Sequence, residues 1–394
     1  MLSTYREQEL IDLTTRMIQA KSYSGEEKQA AEIIGKFCKA NGFDHVTYDK
    51  YGNVIGVIKG SRPGPKLLFD GHIDTVPVSD PTKWTKDPYA GDIIDGKLYG
   101  RGTSDMKGAV AAFTAAAKHF AEDTKRDFAG EILVAGVVHE ECFEGVAARE
   151  ISANFKPDYV IIGEASQLNV KIGQRGRGEI IVETFGKPAH SANPEKGINA
   201  VYKMSKVIDA IRTLVPTEHP VLGRGILELT DIKSSPYPGA SVVPEYCRAT
   251  YDRRLLVGET KESVIAPIRE LLDRLMAEDS ELKAKVSYAV GEEMCYTGNK
   301  IEGERFFPGW LYDKDEPWVQ AVLTELKNAG FTPEVTQYNF CTNGSHYAGE
   351  AGIKTLGIGP SLESLAHTVD EYIEVEQLTK VCECYYSVMK ALLV

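Results

Sequence analysis

The 394-residue sequence lacks several features that would place it in other classes of protein. It has no stretch of about 20 apolar residues, the length that a membrane-spanning helix needs. Residues 4–9 are polar and acidic, without the apolar core of a signal peptide. Positive charge is scarce as well: 45 lysines and arginines are outnumbered by 57 acids, whereas nucleic-acid binding depends on neutralising phosphates. These absences predict a cytoplasmic protein that binds neither membranes nor nucleic acids.

Cysteine is present, but its spacing fits neither a disulfide framework nor a zinc knuckle. The seven cysteines are odd in number and scattered along the chain. Cys382 and Cys384 stand two apart, yet no second pair accompanies them. We therefore expect buried, reduced thiols rather than disulfides or a cysteine-bound zinc.

Apolar runs in the first part of the chain predict a sheet flanked by helices. Strands are predicted at 54–58, 66–69, 132–138 and 159–162, and an alanine-rich helix at 106–120. The run at 132–138 is continuously apolar, as in a parallel strand that is buried on both faces. Strands that alternate with helices indicate an α/β fold with a parallel or mixed sheet.

From about residue 178 the pattern changes to the order βαββαβ, which is typical of a small α+β sandwich with one open sheet face. After residue 308 the helix–strand–helix pattern returns, with a core strand near 354–359. A length of 394 residues also favours two domains. The sequence therefore predicts a discontinuous first domain, 1–178 and 294–394, and an inserted second domain, 179–293.

Histidine and acidic residues follow the predicted strands of the first domain. His72 and Asp74 are two positions apart, so in an extended segment both point to the same face. An imidazole beside a carboxylate is typical of a metal-bound histidine held by an acid, although a loop histidine with a local hydrogen bond would look the same.

Four further clusters have a structural explanation as well as a functional one. Asp105 precedes a helix and could simply cap it. Glu140 and Glu141 follow the apolar strand 132–138, where a solvated loop is the alternative. Glu164 and His367 come after two other predicted strands. Because ligands bind at the carboxyl ends of such strands, the whole set indicates two divalent metals that share a carboxylate.

These segments resemble peptidase family M20, which includes carboxypeptidase G2, acetylornithine deacetylase and succinyl-diaminopimelate desuccinylase. The resemblance covers nearly the whole chain and rests on these segments: GHIDTVP (71–77), YGRGTSDMKG (99–108), HEE (139–141), GE (163–164), GQRG (173–176), PAHS (188–191) and AH (366–367). The long aromatic stretch 299–318 is most similar to the subgroup described as selenium-metabolism-linked hydrolases, for which no substrate can be carried over.

The resemblance implies a fold and a metal site. The fold is a di-metal aminopeptidase-like α/β catalytic domain with an inserted ferredoxin-like α+β domain that serves as lid and dimerisation domain. His72 and Glu164 would bind one metal, Glu141 and His367 the second, and Asp105 both, next to a cis peptide bond. The cofactors would be two divalent ions per chain, zinc by expectation, with cobalt or manganese able to replace it.

The resemblance also implies catalytic and substrate-binding roles. Glu140 would act as the general base for a metal-bridging water, and Asp74 would orient His72. His190 would stabilise the oxyanion, either within one chain or across a homodimer. Arg254 would bind a substrate carboxylate, and Asn343 with Gly344 would contact the substrate.

The expected activity is hydrolysis of the amide bond of an N-acyl amino acid, an N-carbamoyl amino acid or a small peptide. A strict dipeptidase is the alternative within the family, and it would need an acidic side chain to recognise a free amino terminus. A non-catalytic binding protein on the same fold is a more distant alternative. It would be favoured if a ligand or Glu140 were missing, and none is.

Overall fold

The computed structural model describes residues 2–394. The helices are α1 Thr4–Gln19, α2 Lys28–Ala40, α3 Gly108–Asp123, α4 Ala148–Phe155, α5 Ala200–Ile211, α6 Lys261–Glu278, α7 Pro317–Asn328 and α8 Val375–Leu393. Short 3-10 or irregular helical segments lie at Pro81–Lys83, Thr103–Lys107, Pro194–Lys196, Ser345–Glu350 and Glu363–Leu365.

The first strands are β1 His45–Tyr48, β2 Val54–Lys59, β3 Arg62–His72, β4 Ile93–Ile94, β5 Lys97–Tyr99, β6 Ala129–Val137, β7 Tyr159–Ile162, β8 Val170–Gln174, β9 Gly176–Phe185, β10 Glu218–His219 and β11 Gly223–Arg224. The later strands are β12 Ile226–Ser235, β13 Tyr246–Leu255, β14 Lys283–Tyr288, β15 Val290–Met294, β16 Lys300–Glu304, β17 Phe306–Phe307, β18 Trp310–Leu311, β19 Val335–Tyr338, β20 Lys354–Gly357 and β21 Tyr372–Glu374.

The chain divides into two compact units. The larger unit comprises the residues up to Gln174 together with Glu292–Glu302 and Leu311–Val394. The smaller unit comprises Arg175–Gly291 and Gly303–Trp310. Each unit has its own sheet and its own buried apolar residues.

A mixed sheet forms the centre of the larger unit. The strands of this sheet that lie wholly in the larger unit run in the order β1-β2-β6-β3-β7-β20-β8, with β19 also paired to β8. Strand β3 is parallel to β6 and β7, and β7 is parallel to β20. The carboxyl ends of these four strands therefore meet at one edge, which is where the predicted ligands follow the strands.

An aromatic cluster supports the strand that carries His72. Phe69 of β3 packs against Phe113 of α3 and Tyr385 of α8, with ring centroids 5.8 and 5.4 Å away, respectively. All three side chains are fully buried. Gly71 lets α3 approach, because a Cβ there would lie 2.8 Å from a side-chain atom of Val110. Close packing of these side chains therefore fixes the end of β3, independently of any bound ligand.

The smaller unit is a two-layer α+β sandwich with the predicted βαββαβ order. Its sheet runs β12-β13-β9-β14, and β17 also pairs with β9. One sheet face packs on α5 and α6 through residues such as Val182, Met204 and Ile268, which are at most 2% exposed. This strand order is that of a ferredoxin-like sandwich.

One predicted boundary differs at the start of α3. The alanine-rich pattern predicted a helix from residue 106, but α3 begins at Gly108. Asp105 and Met106 have non-helical backbone angles, with φ −130° and −135°. These two residues belong to an irregular turn before the helix. The spacing of apolar residues continues through this turn and therefore does not mark where the helix begins.

Candidate active site

His72 ends β3 and is the centre of the candidate site. It is 1% exposed. Its Nδ1 lies 2.9 Å from the backbone carbonyl of Asp74, which fixes the proton on Nδ1 in the neutral ring. Its Nε2 then faces two carboxylates, 2.9 Å from Asp105 Oδ1 and 3.4 Å from Glu164 Oε1. An imidazole held in this way presents a lone pair to a cation.

The carboxylate of Asp74 holds the turn that carries the two adjacent glutamates. Its Oδ1 accepts the backbone N–H of Glu140 at 3.1 Å, and its Oδ2 accepts that of Glu141 at 3.2 Å. The Ser24 hydroxyl also donates to Oδ2, at 2.7 Å. By contrast, Asp74 Oδ1 is 3.6 Å from His72 Nδ1. The predicted orientation of His72 by Asp74 thus involves the main-chain carbonyl at hydrogen-bonding distance, while the side chain fixes the Glu140–Glu141 turn.

Asp105 lies between the two histidines. Its Oδ1 is 2.9 Å from His72 Nε2 and its Oδ2 is 3.1 Å from His367 Nε2. The peptide bond between Asp105 and Met106 is cis, as the resemblance implied. One carboxylate that contacts two imidazoles through separate oxygens is arranged to serve two cations at once.

Glu140 and Glu141 follow β6 and point to different partners. Glu141 Oε2 lies 3.1 Å from His367 Nε2. Glu140 is 6% exposed, and its Oε2 is 4.0 Å from His72 Nε2. Its Oε1 is buried and has no hydrogen-bond partner within residues 2–394. A buried carboxylate oxygen without a donor is costly unless a cation, a proton or water occupies the space beside it.

The donor set fits divalent metal ions. Two groups bring one ligand atom from each member within 4.8 Å of the others: His72, Glu140 and Glu164, and His72, Asp105 and Glu141. Imidazole nitrogens together with carboxylate oxygens are ligands that zinc, cobalt and manganese accept. His367 joins the second group, because its Nε2 lies 3.1 Å from both Asp105 Oδ2 and Glu141 Oε2. Five of the predicted residues thus meet at one place in the larger unit: His72, Asp105, Glu141, Glu164 and His367.

The electrostatics of the cluster also indicate that a cation belongs there. Burial and neighbouring carboxylates raise the pKa of Glu141 to about 7 and that of Glu140 well above its ordinary value. Burial likewise raises the pKa of Glu164. Hydrogen bonds that the His367 ring donates to the carboxylates of Asp105 and Glu141 raise the pKa of His367 to about 10. Raised pKa values at these acids show that their charged forms are unfavourable so close together in a buried place, and a bound cation would stabilise them.

Two buried carboxylates near the cluster, those of Glu371 and Asp70, are not predicted from the sequence. Glu371 is fully buried and binds the segment that carries Asp105. Asp70, two residues before His72, accepts hydrogen bonds from Asn343 Nδ2 at 2.9 Å and Tyr347 Oη at 2.8 Å. The available signals were weak: Glu371 stands only four residues after His367, and Asp70 interrupts an apolar strand.

The predicted substrate-binding loop is buried. Asn343 is 2% exposed, and besides binding Asp70 its Oδ1 accepts the N–H of Gly145 at 2.8 Å. The neighbouring Gly344 donates its N–H to Thr342 Oγ1 at 3.0 Å. Both ends of the Asn343 amide are thus engaged within the larger unit, where they connect the loops around the cluster.

The remaining two predicted residues belong to the smaller unit. His190 is exposed, and its Nδ1 accepts the backbone N–H of Ala192 at 3.0 Å. Arg254 is partly exposed and donates from Nε to Asp252 Oδ1 at 2.8 Å.

The chain matches a known protein family over most of its length. Residues 68–391 match the profile of peptidase family M20/M25/M40. The uncharacterised protein YgeY of Escherichia coli K12 is 33% identical over 361 residues, covering 90% of this chain and 87% of YgeY. Succinyl-diaminopimelate desuccinylase 2 of Ruegeria sp. is 27% identical over 408 residues, covering 99% of this chain and 97% of the desuccinylase.

Solved structures share the fold at low sequence identity. Aminopeptidase PepT of Bacillus cereus superposes with a TM-score of 0.76 at 19% identity, covering 98% of each chain. YXEP of Bacillus subtilis, described as a dinuclear metal binding peptidase from the M20 family, gives a TM-score of 0.71 at 14% identity, covering 99% of this chain and 98% of that chain.

The chain belongs to peptidase family M20. It is a metal-dependent hydrolase of the amidohydrolase and peptidase type. Its mixed α/β fold matches M20 peptidase structures, which have a catalytic domain and an inserted dimerisation domain. Within residues 2–394, no helix is long and apolar enough to cross a membrane.

Proposed function

We propose that this protein is a di-zinc hydrolase that cleaves the amide bond of an N-acyl amino acid, an N-carbamoyl amino acid or a small peptide. The observation that carries the proposal is the place of Asp105, whose two oxygens lie 2.9 and 3.1 Å from the imidazoles of His72 and His367. A carboxylate with one oxygen for each histidine suits a pair of ions better than a single one.

Each ion would have its own set of ligands. His72 and Glu164 would hold the first and Glu141 and His367 the second, with Asp105 shared between them. Zinc suits this mixture of imidazole and carboxylate, and cobalt or manganese could replace it. Two such ions would act as Lewis acids that polarise an amide carbonyl and make water more acidic.

Glu140 is the proposed general base. It stands next to the ligand Glu141, and its buried Oε1 has no hydrogen-bond partner within the described residues. That oxygen can accept a proton from the attacking water. The same carboxyl group can then give the proton to the leaving nitrogen, which must be protonated before it departs as an amine.

His190 is the proposed donor to the oxyanion of the reaction. Because its Nδ1 accepts a hydrogen bond from Ala192, the neutral ring carries its proton on Nε2, which can donate to a negatively charged oxygen. In this proposal the larger unit is the catalytic domain and the inserted segment 179–293 is a lid and dimerisation domain. His190 would act within one chain or in the other chain of a homodimer.

Substrate recognition is proposed for three residues. The Arg254 guanidinium uses Nε for Asp252, and its terminal nitrogens can bind a substrate carboxylate in a bidentate manner. Gly344 would contribute to the substrate-contacting loop. Asn343 would shape that loop, since its amide already binds Asp70 and Gly145.

An activity screen tests the proposal. Metal-free protein is loaded in turn with zinc, cobalt or manganese and assayed against N-acyl amino acids, N-carbamoyl amino acids and dipeptides, with a Glu140→Gln variant as the matched inactive control. We expect hydrolysis of at least one acyl or carbamoyl amino acid that is lost in the variant. Turnover of dipeptides alone would favour the strict dipeptidase. Equal rates for the wild-type protein and Glu140→Gln would contradict the role of Glu140 as general base.

A further inference from the structure

The carboxylate of Glu371 accepts several hydrogen bonds from the turn that carries Asp105. Its Oε2 accepts from Arg101 Nη1 at 2.7 Å, and both oxygens accept the N–H of Gly102 at 3.1 Å. Its Oε1 also accepts the N–H of Ser104 at 2.9 Å and that of Asp105 itself at 3.1 Å. The side chain is fully buried, so water does not replace any of these contacts.

Main-chain contacts join the same two segments. The Gly100 N–H donates to the Glu371 carbonyl at 2.8 Å. The Ser104 hydroxyl donates to the Tyr372 carbonyl at 2.6 Å. Since Glu371 is only four residues after His367, these bonds connect the segment that carries Asp105 with the one that carries His367.

The Asp105 turn depends on such an acceptor because it cannot satisfy its own backbone. Asp105 has φ −130° and ψ 91°, outside the helical region. The N–H groups of Gly102, Ser104 and Asp105 all end on the Glu371 carboxylate. Buried N–H groups that lose their acceptor are costly, so the turn would move to find new partners.

A simpler explanation is that Glu371 only neutralises Arg101. Arg101 is itself 4% exposed, and its guanidinium forms an ion pair with Glu371. The ion pair, however, uses one donor, whereas three donors are backbone groups of the turn that presents Asp105. The two explanations predict different behaviour when both charges are removed.

We propose that Glu371 is the positioning residue for Asp105: it holds the carboxylate between His72 and His367 and thereby strengthens divalent-metal binding. This inference rests on the metal site of the proposed function. A displaced turn would carry Asp105 away from imidazole contacts of 2.9 and 3.1 Å, and both ions would lose their shared ligand.

The test measures zinc affinity by competition with a fluorescent chelator, without any substrate. The variants are Glu371→Gln, Arg101→Gln and the double variant. Losing an outer partner of a metal ligand typically weakens binding about 10- to 100-fold. We expect that loss in Glu371→Gln and again in the double variant, and a smaller loss in Arg101→Gln. Glu9→Gln, which removes the buried ion pair with Lys118 elsewhere in the larger unit, is the control and should keep wild-type affinity.

Hydrogen–deuterium exchange of the metal-free proteins supplies a second readout. Amides in segment 102–105 should exchange faster in Glu371→Gln than in wild type or Glu9→Gln, at equal far-UV circular dichroism. Wild-type affinity in Glu371→Gln, recovery of affinity in the double variant, or an equal loss in Glu9→Gln would each overturn the proposal. If the wild-type protein bound no divalent ion, the proposed function itself would fail, which is a distinguishable result.

Discussion

The two adjacent glutamates offer the sharpest separation of roles in the site. Glu140→Gln and Glu141→Gln are chemically identical changes at neighbouring positions, yet the structure gives the side chains different surroundings. Glu141 Oε2 is 3.1 Å from His367, whereas Glu140 Oε1 has no hydrogen-bond partner within the described residues. Glu141 is expected to act as a ligand and Glu140 as a base.

The magnitudes follow from these roles. General-base catalysis typically contributes about 10²- to 10⁴-fold, so Glu140→Gln should lower kcat by that factor and leave KM and metal content nearly unchanged. A four-ligand zinc site is worth about 10–16 kcal/mol, or roughly 3 kcal/mol per ligand. Glu141→Gln should therefore weaken binding of one ion by about a hundredfold.

Three assays on the same preparations separate the outcomes. Metal content by elemental analysis after dialysis should be near wild type for Glu140→Gln and reduced for Glu141→Gln. Excess zinc should restore activity to Glu141→Gln but not to Glu140→Gln. In chelator, Glu140→Gln should unfold at the wild-type temperature or above. Glutamine is neutral at a buried position where a carboxylate is unfavourable, and no hydrogen bond to Oε1 is lost. If the two variants lose metal equally, the assignment of base and ligand is refuted.

Three further predictions concern stability and assembly. Phe113→Ala should lower the free energy of unfolding by about 3–5 kcal/mol in a urea titration, because it empties the aromatic cluster under β3. Glu350 is hydrogen-bonded to an arginine and a histidine, and although burial acts to raise its pKa, these bonds hold it at about 2, below the ordinary 4.5. Its ionised form therefore stabilises the fold fully above pH 4.5, and this contribution is lost as the pH falls through about 2. Glu350→Gln should cost about 1–2 kcal/mol at pH 7 and progressively less as the pH falls below 4.5, measured by urea unfolding across pH. Mixing inactive His190→Ala with inactive Glu140→Ala should restore activity if His190 acts in the active site of the other chain of a homodimer. Mixed dimers that have exchanged subunits and remain inactive would rule out such a shared site.

The sequence carried most of the information on the site because its ligands follow strands. His72, Glu140 and Glu164 each come shortly after an apolar run, and parallel strands bring their carboxyl ends to one edge of a sheet. Local pattern and spacing were sufficient to predict that these side chains meet. The βαββαβ order of the smaller unit was likewise visible in its alternating strands.

The supporting contacts could not be predicted in the same way. Glu371 accepts hydrogen bonds from residues about 270 positions earlier, and Asn343 reaches Asp70 across 273 positions. Such contacts leave no trace in periodicity or local spacing. The spacing pointed to Asp74, but only the structure shows that its carbonyl contacts His72 while its carboxylate holds the Glu140–Glu141 turn.

A calorimetric titration of zinc into metal-free protein tests the two-metal site most directly. We expect about two ions to bind per chain, and the Asp105→Ala variant to lose tight binding of both because it removes the shared ligand. A single tight ion, with no further binding and no gain in activity from a second, would contradict the two-metal site.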